Sequence, residues 1–160
     1  MDKHRVYDEL LRELDSVLEG EPDLLVRMAT VCAILKRDIP WVSWVGFYRV
    51  TAPGVLAVGP YQGDIGCLRI TFDRGVCGAA ARTRSTQVVP DVHAFPGHIA
   101  CDVDARSEIV LPVLAASGEV TAVLDLDSHL PAAFDQTDRT YLEELVGRFF
   151  PPASGERAPG

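Results

Sequence analysis

The run from Ser107 to Ser128 leaves the chain few choices. "SEIVLPVL" and "EVTAVLDLDS" are two apolar, β-branched stretches separated only by the turn "AASG". Two such runs joined by so short a connection fold back on each other as an antiparallel hairpin. A second pair repeats the arrangement. In "WVGFYRV", Trp44, Gly46, Tyr48 and Val50 alternate with Val45, Phe47 and Arg49, and after "TAPG" comes "VLAVGP". A period of two is the signature of a strand. "CLRITF" and "TQVVPDV" add two shorter strands.

Helical spacing brackets these strands. Val6, Leu10, Leu14, Val17 and Leu18 form one apolar stripe, ended by Gly20. Pro22 then opens a second helix with Leu24, Met28, Val31, Cys32 and Leu35 on its apolar side. "GVCGAAARTR" reads as a short helix opened by a glycine. Phe134 to Asp138 resembles an N-terminal cap, and Leu142, Leu145, Val146 and Phe149 follow on one helical side. The order predicts an α+β fold: a central antiparallel sheet of about six strands, helices packed on one face, and a long loop from Asp91 to about Arg106. Long loops in small domains are usually functional. A length of 160 residues suits one domain, expected over residues 1–150, with "PPASGERAPG" at 151–160 as a flexible tail.

Charge narrows the partners. A net charge of −8 with no Lys/Arg stripe argues against nucleic acid. No apolar run approaches the roughly 18 to 20 residues of a membrane span, and "MDKHRVYDELL" lacks the apolar region of a signal peptide. The chain reads as soluble and cytoplasmic. In a reducing compartment its four cysteines, Cys32, Cys67, Cys77 and Cys101, point to catalysis, redox work or metal more than to structural staples. Cys32 belongs to a helical stripe and reads as a small buried hydrophobe. The others lie near predicted loops or element ends. Any two could cycle between dithiol and disulfide if the fold brings them together. Alternatively, His93, His98 and Cys101, with Cys67 or Cys77, could supply four zinc ligands, although paired C-x2-C spacings are absent. No G-x-S-x-G, Walker A or dinucleotide fingerprint is present.

Asp125 and Asp127 share one face of their strand, and Trp44 and Tyr48 share one face of theirs. The bland readings are a wet outer face and core packing. If all four line one cavity, its aromatic walls and anionic patch suit a small ligand bearing an ammonium group.

Taken in order, "WVGFYRV", "LAVGPYQGDIGCLRI", "GVCGAAA", "QVVPDVHAFPGHIACD", "SEIVLPV" and "LDLDS" resemble the free methionine-(R)-sulfoxide reductases, a family of single GAF domains. The resemblance runs from about Trp41 to Phe134, and "VHAFPGHIACD" is its most specific part. It implies a GAF-like fold and free methionine-R-sulfoxide as substrate. It implies that Cys101 is the catalytic cysteine, Cys67 the main resolving cysteine and Cys77 a third cysteine of secondary role. Glu108, Asp125 and Asp127 correspond to the carboxylates of the substrate pocket, Trp44 and Tyr48 to its aromatic wall, and Ile99 to a further binding residue. It implies thioredoxin as reductant, no cofactor or metal, and a homodimer. Where the family commonly carries "PAC", this chain has "IGC", so Ile65 and Gly66 bear on the mobility of the Cys67 segment. A Cys67–Cys101 disulfide would bring the two Cα atoms to about 4.4 to 6.8 Å. A non-catalytic ligand or redox sensor is the alternative from a different class, since many GAF domains only bind.

The chemistry follows independently. A thiolate attacks the sulfoxide sulfur, and the oxygen must be protonated as it departs. Several crowded carboxylates cannot all ionise cheaply, so one can remain protonated near neutral pH and serve as the acid. The others grip the ammonium of a free amino acid, which peptide-bound methionine lacks. Nearby anions disfavour the Cys101 thiolate, so a backbone N–H or helix terminus is expected to offset them.

Overall fold

Both predicted hairpins form, and they join at their middle. The computed structural model describes residues 1–153. Strand β1 (Trp44–Ala52) runs antiparallel to β2 (Val55–Gln62), and β5 (Ser107–Leu114) runs antiparallel to β6 (Val120–Ser128). Gly54 and Gly118 make the two turns with φ of +71° and +85°, a region that side chains resist. β1 then pairs antiparallel with β6. β3 (Arg69–Thr71) extends one edge and β4 (Gln87–Val89) the other, giving the order β3-β2-β1-β6-β5-β4. The third strand is shorter than "CLRITF" suggested: Cys67 and Leu68 precede the paired segment rather than opening it.

The register fixes the two faces. Val45, Phe47, Ile109, Leu111, Leu124 and Leu126 point into the main core. There they meet α1 (Lys3–Val17), α2 (Leu24–Asp38) and α4 (Gln136–Phe149) through residues such as Leu10, Leu14, Leu35, Leu142 and Leu145. Three helices thus pack on one face as expected. The fourth, α3 (Gly75–Thr83), corrects that reading. It covers the opposite face, where Val76, Cys77, Ala80 and Ala81 pack on Tyr48, Val110 and Val123. Those apolar side chains on the second face need cover, and small residues let α3 approach closely. A Cβ on Gly78 would lie 2.7 Å from the Phe72 carbonyl oxygen.

The starts of α1, α2 and α4 are capped by aspartates. Asp23 accepts from the N–H groups of Leu25 and Val26, so α2 begins after Asp23 rather than at Pro22. Asp135 and Asp138 form the capping box of α4 that the sequence predicted. The long loop starts with a 3₁₀ turn at Val92–Ala94, and its ends are drawn together where the Val92 N–H donates to the Arg106 carbonyl at 2.9 Å. Among the described residues no helix is long and apolar enough to cross a membrane. The predicted tail falls mostly outside the described residues.

Asp138 is the polar fastening of the helical layer. It is fully buried and accepts from Tyr7 Oη at 2.8 Å, Trp41 Nε1 at 3.1 Å and the Asp135 N–H at 2.7 Å, and it pairs with Lys3. Removing its carboxylate orphans donors from three segments at once. Asp138→Ala is therefore expected to lower unfolding free energy by about 3 to 5 kcal/mol, read as a reduced urea midpoint. A loss within about 0.5 kcal/mol, the size of an ordinary surface change, would show that the network holds nothing together.

Candidate functional site

Antiparallel register assembles the site on the second sheet face. Asp127 sits opposite both Trp44 and Glu108, and Asp125 sits between Gly46 and Val110. Two residues further along β1 on the same face is Tyr48, opposite Val123. With the loop folded over them, these residues line a cavity of about 280 Å³. Trp44, Tyr48, Cys77, Ile99, Cys101, Glu108, Asp125 and Asp127 all contribute to its wall. Every pocket residue expected from sequence is brought together, and the wet-strand reading of Asp125 and Asp127 is not what the structure shows.

Cys67 is joined to Cys101 by a disulfide across 34 residues of sequence, with Cα atoms 5.2 Å apart. The bond ties the long loop to the segment leading into β3, at the mouth of the pocket. Cys77 is a free, buried thiol on the first turn of α3, with Sγ 4.0 Å from Glu108 Oε1. Cys32 is also free and buried in the α2 stripe, where burial pushes its thiol up to about 12, so it stays inert. The zinc reading fails on geometry. Among the described residues, the one group with ligand atoms gathered closely is Cys77, Glu108 and Asp125. His93 and His98 face each other with ring centroids 6.1 Å apart and do not converge with Cys101, whose sulfur is already bonded.

The aromatic wall is a stack. Trp44 lies 5.9 Å from Tyr48 and 5.4 Å from Tyr61, centroid to centroid. Its Nε1 donates to the Asp64 carbonyl at 2.8 Å, which pins the segment before Cys67 over the ring. Gly66 is part of that fit. A Cβ there would come within 3.0 Å of the Trp44 ring and 3.2 Å of the Tyr48 hydroxyl.

The electrostatics are dominated by burial. Glu108 is held well above the usual carboxylate range by desolvation first, then by the charges of Asp125 and Asp127. Asp127 is raised for the same reason, with Asp125 and Asp102 adding to it. Desolvation pushes Asp125 up to about 6, opposed by hydrogen bonds from Glu108 and Cys77. Burial, then Asp125 and Glu108, drives the Cys77 thiol well above its ordinary value, so it remains protonated. Asp125 Oδ1 is buried without a hydrogen-bond partner among the described residues. A buried acceptor left empty is costly, and here it faces a cavity. The arrangement can therefore hold a proton on one carboxyl, present an unsatisfied acceptor to a cationic group, and expose one redox-active sulfur.

Sequence reasoning gave no role to several wall residues: Asp64, His98 as a wall residue, Asp102, Val103, Asp104 and His129. They lie in irregular segments where no periodicity announces a face. His129 Nε2 lies 2.9 Å from Asp102 Oδ2. The signal that could have flagged this pair is position alone, since Asp102 follows Cys101 and His129 stands two residues beyond Asp127.

The GAF domain family matches residues 23–148. The free methionine-R-sulfoxide reductase of Escherichia coli is 39% identical over 148 residues, covering 92% of this chain and 88% of that protein. Protein YtsP of Bacillus subtilis is 43% identical over 146 residues, covering 91% and 89%. The structure of the free methionine-R-sulfoxide reductase from Neisseria meningitidis in complex with its substrate superposes with a TM-score of 0.88 at 44% identity, covering 94% and 89%.

Asp125 yields a pH prediction. Its pKa rises from 3.8 to about 6 on folding, so the folded state binds the proton more tightly. Such a group contributes stability that is complete below the unfolded value and is lost as pH climbs through the folded one. Asp125→Asn cannot ionise and escapes that loss. Between pH 4 and pH 7 the variant should gain roughly 2 kcal/mol relative to the parent, measured by urea unfolding at both pH values. Parallel pH dependences would mean that Asp125 is solvated.

Proposed function

The chain belongs to the GAF domain family and, within it, to the free methionine-R-sulfoxide reductases, and on that basis we propose that it reduces free L-methionine-(R)-sulfoxide to methionine. The observation that carries the reading is the placement of one half of a disulfide, Cys101, in the wall of a pocket with three clustered carboxylates. A sensor that only binds a ligand has no need of a redox pair at the mouth of its cavity, a sensor that only reports redox state has no need of a carboxylate-lined pocket beside that pair, and the zinc set does not assemble.

In the proposed cycle the reduced Cys101 thiolate attacks the sulfoxide sulfur. The sulfur–oxygen bond breaks, the oxygen passes to Cys101, and methionine leaves with two more electrons than the sulfoxide. Cys101 becomes a sulfenic acid. A protonated carboxyl of the Glu108, Asp125 and Asp127 cluster supplies the proton that the departing oxygen needs, which its raised pKa allows near neutral pH. Cys67 condenses with the sulfenic acid, releasing water and forming the Cys67–Cys101 bond. An external dithiol, thioredoxin by family likeness, gives two electrons and two protons to restore both thiols and leaves as its own disulfide. Cys77 stands outside this exchange as a protonated thiol braced on Glu108. No cofactor enters. Family likeness also supports a homodimer, which sedimentation of the pure protein tests.

Selectivity for the free amino acid rests on charge. The ammonium group would pair with the unsatisfied Asp125 carboxylate, beside the stacked face of Trp44 and Tyr48. Ile99 closes the apolar side, packed against Gly75 at the start of α3. That helix start carries no side-chain cap. Gly75 and Val76 of that start line the same cavity as Cys101, so its partial positive charge would act there against the field of the anions.

Two outcomes are expected. Cys101→Ser should abolish formation of methionine from racemic methionine sulfoxide with dithiothreitol as reductant, because a hydroxyl is a far poorer nucleophile; full activity would remove Cys101 from the chemistry. N-acetyl-methionine-R-sulfoxide brings a neutral amide to a site built for a cation. An unpaired buried group costs at least about 1 to 3 kcal/mol, so kcat/KM should fall about five-fold or more. Equal kcat/KM for the two substrates would sink the free-substrate reading.

A further inference from the structure

The Cys67–Cys101 bond anchors the loop only in the oxidised protein, yet on the reading above Cys101 must stay at the pocket mouth when reduced. Among the described residues, one side-chain hydrogen bond ties residues 98–105 to a residue outside the loop: His129, just past β6, to Asp102. Asp102 is the residue after Cys101, and both of its oxygens are engaged. Oδ1 accepts from the Asp104 N–H at 2.9 Å, which closes a tight turn, while Oδ2 faces His129 Nε2 at 2.9 Å. A carboxylate only accepts, so Nε2 carries the proton in this pair. His129 directly follows Ser128, the last residue of β6, whose carbonyl accepts from the Arg106 N–H at 2.8 Å. Two consecutive residues at the end of the strand that carries Asp125 and Asp127 thus hold the loop, one at its base and one beside the nucleophile.

We propose that His129 is a positioning residue for the reduction, holding Cys101 over the carboxylate cluster through Asp102 while the disulfide is open. His129 does not touch the reacting atoms. It converts a loop fixed by backbone contacts and packing into one whose register against β6 is set by a directed hydrogen bond. Misplacing a reacting group by about 1 Å costs up to about a hundred-fold in rate, so a loosened loop shows in the chemical step.

The test uses the full-length protein, fully reduced with dithiothreitol and mixed with racemic methionine sulfoxide, with methionine formation followed in a single turnover. His129→Ala is expected to slow the step about ten-fold, leaving the urea midpoint of the oxidised protein unchanged. His129→Gln, which returns an N–H donor at similar reach, should recover to within about three-fold of the parent. Asp102→Ala should add nothing further in the His129→Ala background, because the two act as one unit. Amide hydrogen exchange of residues 98–105 in the reduced protein, which needs no substrate, should speed up in His129→Ala and not in His129→Gln. His129→Ala turning over at the parent rate, Gln failing to rescue, additive losses with Asp102→Ala, or unchanged exchange would each overturn the proposal. If the parent itself reduces no sulfoxide, the proposed activity fails instead, and the exchange experiment alone decides the role of His129.

Discussion

The antiparallel pairing of β6 with β1 on one side and β5 on the other is the constraint on which the molecule depends. It sets Asp127 against Trp44 and Glu108, and Asp125 against Gly46 and Val110. A slip of one residue in either ladder would turn every side chain to the other face. Leu124 and Leu126 would then enter the pocket and two aspartates would enter the helical core. The alternation that builds the core also builds the site, so the two cannot drift independently. Pairing on both edges keeps β6 from fraying; its ladder with β5 is a hairpin local in sequence, whereas its ladder with β1 joins the two hairpins across a long stretch of chain.

The site is held at an energetic disadvantage. Glu108 and Asp125 are almost wholly buried, with 7% and 4% of their surface exposed, and Asp127 beside them is half-buried. Among the described residues no Lys or Arg lines the cavity to balance them. Burying one charge is expensive, and burying three together more so. The protein's response is to keep protons on the cluster, as the raised pKa values show. The stability forgone at the pocket is offset in the opposite layer, where leucines from three helices pack on the other sheet face and Asp138 fastens the helices with charge-assisted hydrogen bonds.

Much of this could be read from the residues, and the boundary of what could not is physical. Period two put Asp125 with Asp127 and Trp44 with Tyr48, and helical spacing found the stripes of α1, α2 and α4. Asp135 announced its own cap. Spacing could not say which cysteines would meet. That pairing came from the likeness of "GCLRI" and "HIACD" to a family, because a disulfide is decided by how two loops cross in space. Nor did the pattern reveal that α3 covers the second face, since a run of Gly and Ala carries little periodicity. The Asp102–His129 contact and the fit of Gly66 under Trp44 lie in irregular backbone. There each residue's direction depends on tertiary packing, and no repeat in the sequence records it.

Asp138 joins residues far apart in sequence: its bond to Tyr7 spans 131 positions. During synthesis the first helix leaves the ribosome long before its fastening exists. Tyr7 and Trp41 then have no buried acceptor, and Lys3 no counter-ion, until the segment carrying Asp135 and Asp138 has emerged. The helical layer is therefore completed last, by closure of a long-range contact of the kind that slows folding. Until that moment the apolar side of the first helix is open to solvent and to other nascent chains.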